Sequence, residues 1–254
     1  MADPILTQAH GDVVLITINR PEARNAINFD VMDTLDALFP RLNADPAVRG
    51  MALTGAGGQA FSAGMDVKVA AGFDAESAAR WMKRLKIFFS SFRNLDKPLV
   101  AGVNGVAAGA GYQIALLCDV RIGHAGARMG QPEINVGLAS VIGAHIMNLS
   151  LGHSRTVELT LSGRLMDGNE SHAIGLLYRL VEPSQVVPHA IELARELGKK
   201  PPNAMRLTKQ RFREVTQAAF DTTFEAGARL QAEAYASGEP QAVMAAFIAQ
   251  RAKG

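Results

Sequence analysis

The sequence predicts an α/β core followed by a helical C-terminal part. Short apolar or β-branched runs alternate with segments of helical period through the first half. Beyond about Ser140 the strand-like runs give out and helices succeed one another. The chain has 254 residues, 48% of them hydrophobic, which is enough to bury a sizeable core.

The elements follow in order. "ILTQA", a turn at "HGD" and the β-rich "VVLITIN" closed by Pro21 read as a hairpin. From Asn28, "FDVMDTLDALFPRLNAD" carries apolar residues at helical spacing, and Pro40 predicts a kink near its end. "GMALTG" (50–55) is a short buried strand, and "ESAARWMKRLKIFFSSFRNL" (76–95) a long amphipathic helix. "PLVAGVNG" (98–105) is a strand running into a glycine-rich segment, and "VRIG" (120–123) is another strand. Caps or breakers fall at Ser154, Asn169, Ser184 and Pro201–Pro202. These divide the chain into a core over 1–200 and a helical region over 201–254, with the boundary inside 195–203.

Composition narrows the function. The 26 basic and 24 acidic residues leave a net charge of +2, too balanced for a nucleic-acid partner, and 6% aromatics offers little for base stacking. The single cysteine, Cys118, cannot form an internal disulfide and fits a reducing compartment. "MADPILTQAHGD" lacks the basic and apolar regions of a signal peptide, and no apolar run approaches the ~20 residues of a membrane span. The expectation is a soluble, cytoplasmic protein with no membrane partner.

Several motifs are absent: a P-loop, HExxH, GxSxG, CxxC and an EF-hand. The six histidines have no metal-ligand spacing, so no metal site is expected. "GAGGQA" (55–60) matches G-x-G-x-x-A in form. "FSAGMD" follows where a dinucleotide fold needs an uninterrupted helix, so a turn carrying a functional loop is the better reading.

Two segments carry chemistry. After "PLVAGVNG", "AGAGYQIALLCD" reads as a helix beginning near Gly109. Its start offers unpaired N–H groups and partial positive charge to an anion, and small residues allow close approach. In "MGQPEINVG" (129–137), Pro132 shapes a loop that places Glu133 between a proline and Ile134. A carboxylate so flanked is expected to be desolvated, with its pKa raised toward the range of proton transfer. Tight packing for the first segment and an ordinary surface glutamate for the second are the bland alternatives.

Taken together, "AFSAGMD" (60–66), "NGVAAGAGYQIALLCD" (104–119) and "GQPEINVGL" (130–138) resemble the crotonase, or enoyl-CoA hydratase/isomerase, family. The likeness extends to "INRPEARNAIN" (18–28), "KPLVAGVNG" (97–105) and "LTLSGRLMDGNESHAIGL" (159–176), and spans about residues 5–250. It implies a crotonase-like spiral of ββα repeats with a helical C-terminal trimerisation region, in a homotrimer or a dimer of trimers. It also implies acyl-CoA substrates whose thioester enolate is held in an oxyanion hole, with coenzyme A entering as part of the substrate and no separate cofactor. Carried over position by position, the oxyanion donors fall on the N–H groups of Ala63 and Ala110, and the acid/base on Glu133. CoA contacts fall beside Arg24, Ala26, Met65, Asp66 and Val67, with Gly109 and Pro132 at the substrate site.

Three positions depart from the family pattern. Hydratases hold water between two glutamates, and this chain has Gln113 at the second position. An amide can orient water but takes up no proton at neutral pH. A double-bond shift needs one base only, so isomerisation of an enoyl-CoA by Glu133 is favoured over hydration. Hydration of an enoyl-CoA, or other lyase or hydrolase chemistry, with one carboxylate is the alternative, and an inert acyl-CoA-binding protein is the rival from another class. Ser140 stands near a proline of many relatives, and either caps "VIGAHIMNLS" or faces the acyl pocket. Met65 replaces a common alanine, which alters the pocket or its entrance.

Overall fold

The computed structural model describes residues 3–251. The ranges 1–200 and 201–254 therefore each reach slightly beyond the described residues. The predicted hairpin forms from β1 (Ile5–His10) and β2 (Val13–Ile18), paired antiparallel. A short turn at Pro21–Ala23 leads to α1 (Phe29–Ala44), whose first turn is capped by the Asn28 side chain accepting from Val31 N. Pro40 lies inside α1, and the helix runs on to Ala44 beyond it.

From there the chain winds in turns of similar build. β3 (Gly50–Gly55) enters the first sheet, β4 (Ala60–Ser62) enters a second, and α2 (Val67–Ala70) and α3 (Ala75–Arg93) return the chain. Asp74 and Ser77 close a capping box at the α3 start. The next turn is β5 (Leu99–Val103), β6 (Val106–Ala108) and α4 (Ala110–Leu117). β7 (Val120–Gly123) and β8 (Arg128–Gly130) follow, then a 3-10 turn at Glu133–Val136 and α5 (Val141–Leu151). The chain continues through α6 (His153–Ser162), β9 (Leu165–Asp167), α7 (Gly168–Ala173), β10 (Arg179–Leu180) and α8 (Val186–Gly198). It ends in the long α9 (Pro202–Ala236) and α10 (Glu239–Arg251).

The first sheet has the order β1-β2-β3-β5-β7-β10 and the second β4-β6-β8-β9. Apart from the β1–β2 and β8–β9 pairs, neighbours run parallel. The first sheet is covered on both faces, which is why all six residues of β3 are buried. On one face Val13, Ala52, Val100 and Ile122 pack against Ala190 and Ala194 of α8. On the other, Ile16, Met51 and Leu53 share a core with Leu35 and Phe39 of α1 and Leu85, Phe88 and Phe92 of α3. Edge-to-face contacts of Phe39 and Phe88 with Phe92, at 4.8 and 5.2 Å between centroids, order that layer.

Some expectations are corrected here. The segment beyond Ser140 carries β9 and β10, not helices alone. These strands are three and two residues long, too short for an alternating pattern to be visible. The helices expected to cap at Ser154 and Asn169 start slightly earlier. Gly152 precedes α6, and the Asp167 carboxylate caps α7 by accepting from Glu170 N. Ser184 sits in a 3-10 turn before α8. Ser140 occupies the cap position of α5 but makes no side-chain cap bond.

Candidate active site

Three parallel strands of the second sheet, β4, β6 and β8, end side by side. Each carboxyl end feeds directly into one of the segments singled out in the sequence. Ser62 leads to Ala63–Asp66, Ala108 leads to Gly109–Ala110, and Gly130 leads to Gln131–Glu133. The carboxyl ends of parallel strands are the usual place for a ligand, because loops and helix starts converge there.

The first segment is held from beneath. Arg24 and Asn25 both take positive φ, 52° and 57°, strained values for residues with side chains. The fully buried Asn25 stabilises them, donating to Ala56 O at 2.9 Å and Ala60 O at 2.7 Å while accepting from Arg20 N at 3.0 Å. This brings Arg24 O to the Ala63 N–H, which it accepts at 2.9 Å. That bond corrects the expectation for Ala63, whose N–H is spent inside the loop and cannot serve an oxyanion. Met65 is the free donor of the segment. It bridges Ile27 in parallel, with Ile27 N bonded to Gly64 O at 2.8 Å and Asp66 N to Ile27 O at 3.0 Å. The Met65 N–H is thereby turned away from Ile27, and it has no acceptor among the described residues.

The expected CoA contacts gather on this loop pair. Arg24 is exposed and forms no ion pair among the described residues. Ala26 is buried, with its carbonyl accepting from Arg20 Nη1 at 2.7 Å. Met65, Asp66 and Val67 are half-buried. Asp66 is already engaged, its Oδ2 by Arg20 at 3.1 Å and its Oδ1 by Lys68 N at 3.1 Å, so it fixes the loop rather than offering a free carboxylate.

The second segment explains its run of small residues. Gly109 has φ 54° and ψ −125°, a conformation open to glycine, and donates to Gly130 O at 3.0 Å before α4 begins. The N–H of Ala110, at the first helical position, has no acceptor among the described residues. A Cβ at Gly111 would lie 2.2 Å from Ser62 O, and one at Gly64 would lie 3.2 Å from Ala110 N. The backbones bearing the free N–H groups of Met65 and Ala110 are thus adjoining, and larger side chains would force them apart.

Glu133 lies against the start of the same helix, with its Oε1 3.1 Å from where a Gly109 Cβ would be. Pro132 sets up the 3-10 turn that begins at Glu133. Oε1 accepts from Gln113 Nε2 at 3.1 Å and from Gln131 Nε2 at 3.0 Å. Oε2 is enclosed by protein and has no partner among the described residues. Burial pushes the carboxyl up to about 7, against the opposing pull of its own backbone N–H and the two amide donors. This bears out the expected desolvation. Gln113 is itself buried, and its Oε1 is unpartnered among the described residues.

Sequence reasoning missed Gln131 in this cluster and left the place of Ser140 open between a helix cap and the pocket. Gln131 is fully buried and touches both Glu133 and Gln113, and Ser140 Oγ accepts from Gln131 Nε2 at 2.9 Å. The signal available for Gln131 was its place two residues before the carboxylate, where alternate residues of an extended segment share a face. Among the described residues no group of three His, Cys, Asp or Glu side chains could hold a metal ion. Chemically, two free N–H groups beside one near-neutral carboxyl can hold developing negative charge on an oxygen while a proton moves.

Known proteins resemble this chain over nearly its whole length. The enoyl-CoA hydratase/isomerase family model matches residues 8–253. The chain is 31% identical to the short-chain-enoyl-CoA hydratase of Clostridium acetobutylicum over 248 residues, 97% of this chain and 95% of that one. A crystal structure of an enoyl-CoA hydratase/isomerase from Mycobacterium paratuberculosis superposes with TM-score 0.86 at 26% identity, covering 96% of this chain and 98% of that one. A monofunctional enoyl CoA isomerase from M. smegmatis matches with TM-score 0.71 at 32% identity, covering 88% and 99%.

Proposed function

The chain belongs to the enoyl-CoA hydratase/isomerase family, and on that footing we propose that it shifts the double bond of an enoyl-CoA with Glu133 as the single acid/base. The observation that carries this reading is the bare, buried Oε2 of Glu133 beside a Gln113 that titrates nowhere near neutrality. The thioester carbonyl accepts from the Met65 and Ala110 N–H groups, so that charge on the enolate oxygen is met by donors already in place. Glu133 Oε2 removes a proton from one carbon of the extended enolate system and returns it two carbons away. A carboxyl near 7 is suited to both halves, since neither taking nor giving the proton is strongly uphill. The same features argue against an inert acyl-CoA binder, which has no use for a buried carboxyl held at neutrality.

The substrate's CoA portion is proposed to lie along Arg24, Ala26, Met65 and Val67, with Arg24 available to a phosphate. Residues 201–254 are proposed as the trimerisation region. The exposed Leu207, Phe212 and Val215 of α9 support burial against another copy.

Hydration is the second reading, and one observation favours it. Gln113 Oε1 and Glu133 Oε2 are both buried acceptors without partners among the described residues, and the two O–H bonds of a water molecule could satisfy them. The hydratase named above lends it weight. Rates with 2-enoyl-CoA and 3-enoyl-CoA separate the readings. Wild type is expected to isomerise the 3-enoyl substrate faster than it hydrates the 2-enoyl one. Gln113→Glu should raise hydration, while its carboxyl, replacing a donor 3.1 Å from Glu133, forces the pair to share a proton. Vigorous wild-type hydration that this variant leaves unchanged overturns the isomerase preference.

The pH dependence has a definite sign. Glu133 must be ionised to start the reaction, so kcat/KM should rise with pH through about 7 and level off above it. A profile already flat at pH 5 would mean that Glu133 is not the base.

A further inference from the structure

Ser140 stands at the cap position of α5, where a serine ordinarily accepts a backbone N–H of the first helical turn. Here it makes no such bond, and its Oγ accepts from Gln131 Nε2 at 2.9 Å instead. Gln131 gives its other N–H to Glu133 Oε1 at 3.0 Å, and its carbonyl accepts from Gln113 Nε2 at 3.4 Å. Gln113 Nε2 also donates to Glu133 Oε1 at 3.1 Å, which closes a ring of three side chains. All four amide N–H bonds are then matched by acceptors. Turning the Gln131 amide over would set its oxygen against Glu133 Oε1 and its nitrogen against Gln113 Nε2. Gly143 of α5 makes the space, because a Cβ there would fall on the Gln131 amide and 2.7 Å from Gln113 Nε2.

We propose that Ser140 and Gln131 are a positioning pair that commits Glu133 to one proton-transfer oxygen, Oε2. The inference rests on the proton-transfer role of Glu133 and assigns two further residues to it. With two donors on Oε1, an arriving proton goes to Oε2, and the donors favour the ionised form that burial disfavours. Ionisable side chains stand on the surrounding segments: Tyr112 on α4, Arg128 on β8, His145 on α5, Glu158 on α6, Arg164 before β9 and Glu239 on α10. None of them is among the influences on the Glu133 carboxyl, which are burial and hydrogen bonds alone. Without the Ser140 acceptor, one Gln131 N–H is left unmatched and the amide can turn. Without Gln131, burial acts with one amide donor fewer.

The test follows the Glu133 carboxyl directly. A pH-difference infrared spectrum of the free protein contains its protonated C=O band, identified by its loss in Glu133→Gln. Gln131→Leu should raise the titration midpoint by about one unit, the scale of a lost hydrogen bond to a charged group, and Ser140→Ala by roughly half as much. Ser140→Thr keeps an acceptor and should restore the wild-type midpoint. In steady-state assays the pH profile of kcat/KM should move with the midpoint while KM at high pH stays put. A folded Ser140→Ala protein with the wild-type midpoint and profile overturns the inference. Because the band needs no substrate, midpoints that shift in a protein without isomerase activity would sink the proposed reaction and leave the positioning pair standing.

Discussion

Glu133→Gln is expected to lower kcat by about 10³ or more while leaving CoA binding near wild type. The substitution keeps the side chain's shape but removes its proton uptake, and a positioned acid/base is worth roughly 10²–10⁴. CoA affinity should survive because the proposed contacts lie on the 24–26 and 65–67 segments and do not include the Glu133 carboxyl. The same variant should gain stability at high pH. The folded Glu133 carboxyl titrates near 7, above its ordinary value of 4.5, so between those values the folded chain keeps a proton that the unfolded chain has released. The stability due to that proton is present below the unfolded value and is lost as pH rises through the folded one. The loss amounts to about 3 kcal/mol at full effect. Urea unfolding should therefore show Glu133→Gln gaining on wild type between pH 5 and pH 8. An unchanged difference across that range would mean that the carboxyl is not buried at a cost, and isomerisation at wild-type rates would mean that another base is present.

Ala110→Pro should cost about 10²–10³ in kcat, the usual toll for losing one donor to an oxyanion. Proline deletes the N–H and is compatible with the first position of a helix, so α4 need not unravel. Gly109 precedes it and is the residue type best able to accept the constraint that proline places on its predecessor. Ala110→Ser, which retains the N–H, serves as the control for added bulk. Circular dichroism confirms folding, and binding of a saturated acyl-CoA shows whether the ground state is still recognised. A folded, binding-competent proline variant with near-normal turnover would remove Ala110 from the oxyanion site.

By itself the sequence determined the α/β class and the family, and it singled out Glu133 as a desolvated carboxyl and Ala110 as a backbone that a ligand can approach. Each rests on a signal local to a short stretch. β3 announces itself because a strand covered on both faces is apolar throughout, and Glu133 because proline and isoleucine beside a carboxylate already imply desolvation. The tertiary structure alone decided how those stretches meet. The second sheet is built of three-residue strands, too short to show a period, so the convergence of β4, β6 and β8 could not be read from any of them. Backbone bonding was equally out of reach. Ala63 and Met65 lie two residues apart in one loop, and only the position of Arg24 O decides that the first N–H is consumed and the second free. For Ser140 the sequence allowed a helix cap or a place facing the pocket, and only the position of Gln131, nine residues earlier, decides which partner its hydroxyl takes. A hydrogen bond belongs to whichever acceptor the fold brings nearest, and across distant segments that depends on packing, to which no single stretch of sequence has access.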